Sequence, residues 1–558
     1  MDILATDNSS TDLPKDISPK APAASKDTDR PTRKHPKADF FLCIIGIVAL
    51  VGILVPSVYD GYDNDIWFIL ASGREIVQNG FPYTNPWSVY SDLSIVIQQW
   101  IPDVLSYLSY TAAGWYGLTA LLSVAAAVLV FCMYRLARAA SPKTTPETIL
   151  ILMAGVIYVM NTYISYRPQI YTMIFVCLTL IVMEKYRVTS NRRLLFWLIP
   201  IAIGHVNFHA SMAPFDLAIV GVYWIPNLRK YWNRAKARLA KSKHFVYPDG
   251  QQIFNEKAIA AETWSFSDSD YPRLPLFISL FVMAASMLIN PYGLSGALYL
   301  VHSFGAASYR NMINEMNALV PTQNGYGIAL LIALACAFIC IGRRGRHKID
   351  LPLTLCVIIL GFFAFTRVRN VWIVMPFIFV LVVKNIRTLP IVPSNFIVLG
   401  RRIKITIGIC ASILVLSFLI SSIALKTLNE YQDSTSTPLV AIQAINARTS
   451  EDERSSLKVF TYFNAGGFVE WNGYHVTMDA RPELWEPAIT GSETHYYQQY
   501  ADALLDNDVS ELVQSSDCDY FIVDVGSAVD TYLANSDSYT EILMGNGYRL
   551  WEKGSSSN

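Results

Sequence analysis

The chain has 558 residues, 53% of them hydrophobic and only 16% charged, with a formal net charge of zero. A soluble chain of this length carries about 25% charged residues, so an ordinary soluble globular class is excluded. The balanced charge also gives no basic stripe for a nucleic-acid partner. Seven of the eight cysteines lie in or beside apolar runs and only Cys518 lies in the polar C-terminal region, a pattern that offers neither a disulfide framework nor a zinc site.

Residues 1–38 are rich in Ser, Thr, Pro, Asp and Lys and read as a disordered cytoplasmic tail. An uncleaved anchor follows at 39–56. Further apolar runs lie near 115–135, 148–165, 168–184, 194–210, 212–227, 274–290, 326–342, 349–366, 371–388 and 404–425, about eleven in all. About 20 apolar residues cross a bilayer core of about 30 Å. The expected class is therefore a polytopic α-helical membrane protein, since barrel strands would alternate over short segments. The stretch 99–112 contains Pro102 and Asp103 and is expected to be interfacial.

Lys and Arg concentrate in alternate loops, including the cluster Arg229–Lys243 in a 229–273 loop and the run Arg343, Arg344, Arg346 and Lys348. The positive-inside rule then places the N-terminus in the cytoplasm and residues 57–102 in the first outward loop. Residues 244–273 have no periodicity that assigns a role. An odd number of spans puts the C-terminal domain, 426–558, outside. That domain is expected to be a small α/β unit, with strands at Lys458–Phe463 and Tyr520–Val525. Thr437 is a candidate cap for a helix running to Ala447, Gly466-Gly467 reads as a tight turn, and helical patterns cover 494–514 and 527–535. Acidic residues outnumber basic ones in it by three to one.

Polar residues at the span ends gather at the outward face. Asp60, Asp63 and Asp65 follow the first span, Arg167 precedes the fourth, and His205, Asn207 and His209 close the fifth. Asn290-Pro291 ends the seventh, Glu315 lies in the loop after it, and Arg367, Arg369 and Asn370 join the ninth and tenth. Charges at a hydrocarbon edge cost free energy and mark function. From Asp65, the residues Ile66, Ile69, Leu70, Gly73, Ile76 and Val77 form one apolar helical face opposite Ser72, Arg74, Glu75 and Gln78. Asp65 is expected to cap that helix, which would lie on the membrane and end at Asn79-Gly80.

Transfer of a sugar from a lipid phosphate needs a carboxylate to activate the acceptor and cations or a metal to stabilise the leaving phosphate. Asp63, Asp65 and Glu315 are the candidate catalytic carboxylates. Arg167, His205, His209, Arg367 and Arg369 are the candidates for donor phosphate, Arg because its fork suits bidentate contact. The two histidines are four residues apart and would serve for phosphate or for a divalent metal. Each group also has a structural reading: Asp65 as a cap, the arginines as headgroup anchors, the histidines as satisfied interior residues, Glu315 as a solvated loop residue.

Over about 40–558 the sequence resembles a bacterial family of multi-spanning proteins related to GT-C glycosyltransferases. The similar segments are Asp65-Ile66-Trp67-Phe68-Ile69, Gly73, Pro82–Ser88, Gln99-Trp100-Ile101, Arg167-Pro168-Gln169, Asn207-Phe208-His209, Asn290–Gly293, Glu315, Gly466-Gly467 and Asp479-Ala480-Arg481. Ile69 and Asn85 stand where the family has His and Asp. The resemblance implies a GT-C-like transmembrane domain over 39–425, an essential Asp in the first outward loop, and a polyprenyl-phosphate-linked sugar as donor. The expected setting is the outer face of a bacterial plasma (inner) membrane, in contact with membrane lipid and an envelope glycan, lipid or protein as acceptor. No outward segment carries an Asn-x-Ser/Thr site, in keeping with that setting. Two other readings remain: a non-catalytic envelope assembly protein, and a lipid or glycan transporter. The transporter predicts mid-span charges and internal repeats that the sequence lacks.

Overall fold

The structure is a computed structural model, and it describes residues 44–48, 50–51, 64–160, 166–225, 271–305, 318–320, 325–343, 350–367, 370–386, 406, 413 and 437–554. The N-terminal tail, most of the 39–56 and 404–425 runs, Asp60, Asp63, Glu315, Arg369 and the loop 229–270 lie outside these residues.

Apolar helices make up most of the fold. Among the described residues they are Trp100–Ala140, Pro146–Met160, Gln169–Thr189, Leu198–Phe208, Pro214–Trp224, Leu274–Ser286, Gly325–Arg343, Leu351–Thr366 and Val371–Asn385. Trp100–Ala140 and Gln169–Thr189 are long and apolar enough to cross a membrane. The helix Val371–Asn385 is apolar all round and buried almost throughout, so it sits at the bundle centre. It packs on Leu351–Thr366, Gly325–Arg343, Pro146–Met160, Trp100–Ala140 and Gln169–Thr189. Outer helices expose large apolar side chains, including Phe277, Ile278, Phe281, Ile332, Ile358 and Phe362. An apolar surface of this extent suits lipid and not water, which makes this a membrane protein.

The 41-residue helix contains two arms. Ala113 (φ −150°) and Gly114 (φ 57°) break it between the expected interfacial stretch and the expected span. Gly114 takes the left-handed region that a side chain disfavours.

Charged span ends meet at one pole of the bundle. Arg187 Nη1 is 2.7 Å from Asp350 Oδ1, and Lys384 Nζ is 2.6 Å from both Glu184 Oε2 and Asp350 Oδ2. Tyr223 Oη donates to Glu184 Oε1 at 2.7 Å. Two cations against two carboxylates neutralise a cluster that would be costly if any member were left alone. These residues come from four helix ends that the charge pattern assigns to a single face.

The C-terminal domain carries a five-stranded mixed sheet of order β2-β1-β3-β5-β4. Its strands are β1 (Lys458–Thr461), β2 (His475–Val476), β3 (Tyr520–Asp524), β4 (Tyr539–Gly545) and β5 (Tyr548–Lys553). β2, β1 and β3 are parallel, whereas β5 runs antiparallel to both β3 and β4. The first loop extends this sheet: Val476 N donates to Trp87 O at 2.7 Å and Val89 N donates to Val476 O at 3.0 Å. The open edge of β2 is thereby covered.

Several local expectations are corrected. The β4–β5 hairpin has no expected counterpart; its strands are amphipathic at best, with much of β4 exposed. Gly466-Gly467 opens the helix Gly466–Trp471 and is no turn. A Cβ on Gly466 would stand 1.9 Å from the Met478 carbonyl oxygen, so the glycine is there for close approach. Thr437 makes no cap: the helix is Leu439–Asn446, with Pro438 at the N-cap position and no side-chain cap bond.

Candidate active site

The helix Asp65–Asn79 positions the site. Ile66 through Gly73 are buried without a break, because the helix is held between the Trp100–Ala112 arm and the C-terminal helix Gly466–Trp471. Gly73 permits the first contact: a Cβ there would meet the Asp103 carbonyl oxygen at 2.2 Å. Gly467 permits the second, with its Cβ position 3.1 Å from Phe68 N. The helix therefore does not lie bare on a membrane. The first part of its expected polar face is covered as well, since Ser72 is fully buried and Arg74 donates to the carbonyls of Trp471 (2.8 Å) and Glu470 (3.1 Å), whereas Gln78 stays exposed. Gly80 ends it as expected, at φ 87°.

Asp65 is the first helical residue and not the N-cap; Asn64 holds that position without a side-chain cap bond. The Asp65 carboxylate reaches sideways, with Oδ2 2.8 Å from Arg167 Nε. This pair stands on the wall of a cavity of about 390 Å³. His209 and Arg367 line the same cavity. Asp65, Arg167, His209 and Arg367, scattered over some three hundred residues of sequence, thus share one space. Asp63, Glu315 and Arg369 lie outside the described residues.

His205 is placed differently. It is fully buried behind the wall and does not line the cavity. Its Nδ1 is 2.8 Å from Asp216 Oδ2 and its Nε2 is 3.2 Å from Thr172 Oγ1. His209 follows the last helical residue, Phe208, with an extended backbone, and its N–H still donates to the His205 carbonyl at 2.7 Å. Its Nδ1 is 2.7 Å from the same Thr172 Oγ1.

Three parts of the wall have no site role in the sequence reading, although Gln99, Gln169 and Ala480-Arg481 stand in the segments of resemblance. Gln98, Gln99 and Asp103 come from the re-entry of the first loop, where Gln99 Nε2 donates to Asp103 Oδ1 at 3.0 Å and the Gln98 carbonyl accepts from Ala210 N at 2.8 Å. Gln169 lies beside Arg167. Ala480–Leu484 comes from the C-terminal domain, led by Arg481. Arg481 Nη2 donates to Glu470 Oε2 at 2.8 Å and Nη1 to Ser72 Oγ at 3.1 Å, and the guanidinium also grips Asp479. The plane lies over Phe68 and Trp87, 4.7 and 5.0 Å from their ring centres. The Asp479-Ala480-Arg481 resemblance was the one signal that pointed here. Burial and the neighbouring Asp479 carboxylate push the Glu470 carboxyl well above the usual range, against the pull of Arg481.

Among the described residues, no group of three or more His, Cys, Asp or Glu side chains is gathered as a metal site.

The sequence matches no family model and no curated protein. Among solved structures it is similar to the Archaeoglobus fulgidus oligosaccharyltransferase. For the apo form the TM-score is 0.45 at 9% identity, over 88% of this chain and 70% of that one. For its complex with zinc and sulfate the TM-score is 0.45 at 11% identity, over 87% and 68%. Function is read below from the cavity's own residues.

Proposed function

We propose that this protein is a membrane glycosyltransferase of GT-C type that moves a sugar from a polyprenyl-phosphate donor to an envelope glycan, lipid or protein at the outer face of the plasma membrane. The observation that carries this reading is the Asp65–Arg167 pair on the wall of a cavity at one pole of an apolar helix bundle. A lipid-phosphate donor would keep its chain in the bilayer and its headgroup at that pole. Arg167 and Arg367, joined by Arg369, would take the phosphate oxygens. Asp65 or its neighbour Asp63, with Glu315, would receive the acceptor hydroxyl's proton or hold Arg167 in position. His209 would contribute a polar contact from the facing wall.

The cavity wall also carries the side chains of Gln98, Gln99 and Gln169, amides of the kind that donate to and accept from sugar hydroxyls.

The test is the envelope glycan profile of a deletion strain complemented with wild type, Asp63→Asn, Asp65→Asn or Arg167→Ala, with protein levels matched. Loss of one glycan in the deletion, restored by wild type alone, is the expected result. A profile that Asp65→Asn and Arg167→Ala restore in full would remove the catalytic reading. A deletion that changes no glycan would favour an assembly role.

A further inference from the structure

A chain of polar side chains runs from the cavity into the apolar bundle. Thr179 Oγ1 donates to Asp216 Oδ1 at 2.9 Å, and Asp216 Oδ2 is 2.8 Å from His205 Nδ1. His205 Nε2 is 3.2 Å from Thr172 Oγ1, which is 2.7 Å from His209 Nδ1. Asp216, His205, Thr172 and Thr179 are fully buried, and Phe175 stacks on the His205 ring at 5.0 Å. A buried titratable pair seldom adds net stability, so a His–Asp contact in an apolar interior invites a functional account.

The hydrogen-bond chemistry sets a direction along this chain. An ionised carboxylate only accepts, so His205 Nδ1 carries a hydrogen toward Asp216. In neutral His205 the other nitrogen, Nε2, is then an acceptor and takes the Thr172 hydroxyl hydrogen. The Thr172 oxygen is left to accept from His209 Nδ1–H. His209 is thereby held as the Nδ1–H tautomer, and Nε2 becomes its basic atom.

We propose that His209, and not a carboxylate, takes the acceptor proton in the transfer reaction, leaving Asp65 to hold Arg167, and that Thr172 and His205 form a proton relay behind it, anchored by Asp216. This rests on the glycosyltransferase reading. The acceptor oxygen bonds to the anomeric carbon as the bond from that carbon to the phosphate oxygen breaks, and the electron pair leaves with the phosphate. The acceptor proton goes to His209 Nε2, the Nδ1 proton passes to Thr172 Oγ1, and the Thr172 hydrogen passes to His205 Nε2. The proton rests on a His205 imidazolium against Asp216, and the reverse shift returns it once product has left. Asp65, Asp103, Arg167, Arg367, Arg481 and Glu483 are the charged side chains on the cavity wall around His209. His209 is the catalytic residue here; Thr172, His205 and Asp216 are positioning residues.

The experiment uses the full chain in lipid nanodiscs with ¹⁵N-labelled histidine. His205→Gln and His209→Gln assign the two rings among the eight histidines. Near neutral pH both should show a pyridine-type Nε2. Thr172→Val should remove that preference at His209, whereas Thr172→Ser should keep it. An Nε2–H tautomer at His209 in the wild type, or a His209 signal that ignores Thr172→Val in folded protein, would overturn the relay. With polyprenyl-phosphate sugars as donors, Thr172→Val should lower kcat roughly 10- to 100-fold with KM unchanged, and Thr172→Ser should recover it. Equal kcat in wild type and Thr172→Val would also overturn it. Absence of transfer by the wild type would defeat the glycosyltransferase reading instead, and the tautomers would still decide the wiring.

Discussion

Asp65 Oδ2 lies 2.8 Å from Arg167 Nε, and both side chains keep about a fifth of their surface open. A partly exposed ion pair contributes only about 0–1 kcal/mol to stability. The same pair on a phosphate-binding wall would matter far more to a transition state. Asp65→Asn and Arg167→Ala are each expected to shift thermal stability by less than about 1 kcal/mol while lowering sugar transfer by roughly two orders of magnitude or more. Unfolding scans and transfer rates on the same preparations check this. A drop in both by matching amounts would assign the pair to structure alone.

Gly73 marks the seam between the first-loop helix and the Trp100–Ala112 arm. An added methyl there would stand 2.2 Å from the Asp103 carbonyl oxygen and 2.7 Å from Tyr107 Cβ, so one element must move. Gly73→Ala is expected to destabilise by about 1–3 kcal/mol through overpacking. It should also displace the cavity wall that holds Asp65 and Ser72. Gly155 is the control: nothing lies within 4 Å of its Cβ position. In mid-helix, Gly155→Ala is expected to be neutral or slightly stabilising. Limited proteolysis of the first loop, read beside the melting curves, separates the two.

The contrast between these two glycines shows what the sequence could and could not convey. Apolar runs of membrane length announce themselves, so the helices Gln169–Thr189 and Gly325–Arg343 lie close to where the runs place them. Lys and Arg segregation put Arg187 and Lys384 in loops expected on one face, but nothing in the sequence marked Asp350 as the carboxylate that joins them. Docking leaves no such periodic mark. Ser72 and Arg74 look solvent-facing on a helical wheel, yet Ser72 is buried and Arg74 half-buried because a domain four hundred residues away closes over them. His205 and His209 are four apart in sequence, and the helix end between them sends one inward and the other to the cavity. Asp65 reads as a cap by position, but Asn64 begins the helix and Arg167 takes the carboxylate.

Arg481 joins the domain to the site. It is over 90% buried, with Glu470 and Asp479 as counter-charges and Ser72 as an acceptor across the seam. Arg481→Met keeps most of the volume over Phe68 and Trp87 but leaves the buried Asp479 carboxylate beside Glu470 with no cation. Removing one member of a buried pair costs about 3–5 kcal/mol, so the domain is expected to lift from the Asp65–Asn79 helix. Arg481→Lys should recover little, since one ammonium cannot reproduce the planar fork that meets Glu470, Asp479 and Ser72 together. Hydrogen exchange in residues 65–73 is the readout: faster in both variants if Arg481 fastens the seam, unchanged if the apolar contacts suffice.

Glu470 gives the seam a pH dependence with a definite sign. Its carboxyl is raised by burial first and by Asp479 second. Between the ordinary carboxylate range and the raised native value, the folded state keeps a proton that the unfolded chain has released. Stability is therefore fully present below the unfolded value and is lost as pH rises through the native one. The protein should melt lower as pH rises above the ordinary carboxylate range by this contribution. Glu470→Gln keeps a neutral, hydrogen-bonding side chain beside Arg481 and should flatten the slope without lowering the acid-side melting point. Tryptophan fluorescence follows the transition, since Trp67, Trp87 and Trp471 flank the seam. A variant that retains the wild-type slope would move the proton to another group, and Asp479, on the same guanidinium, would be the next to substitute.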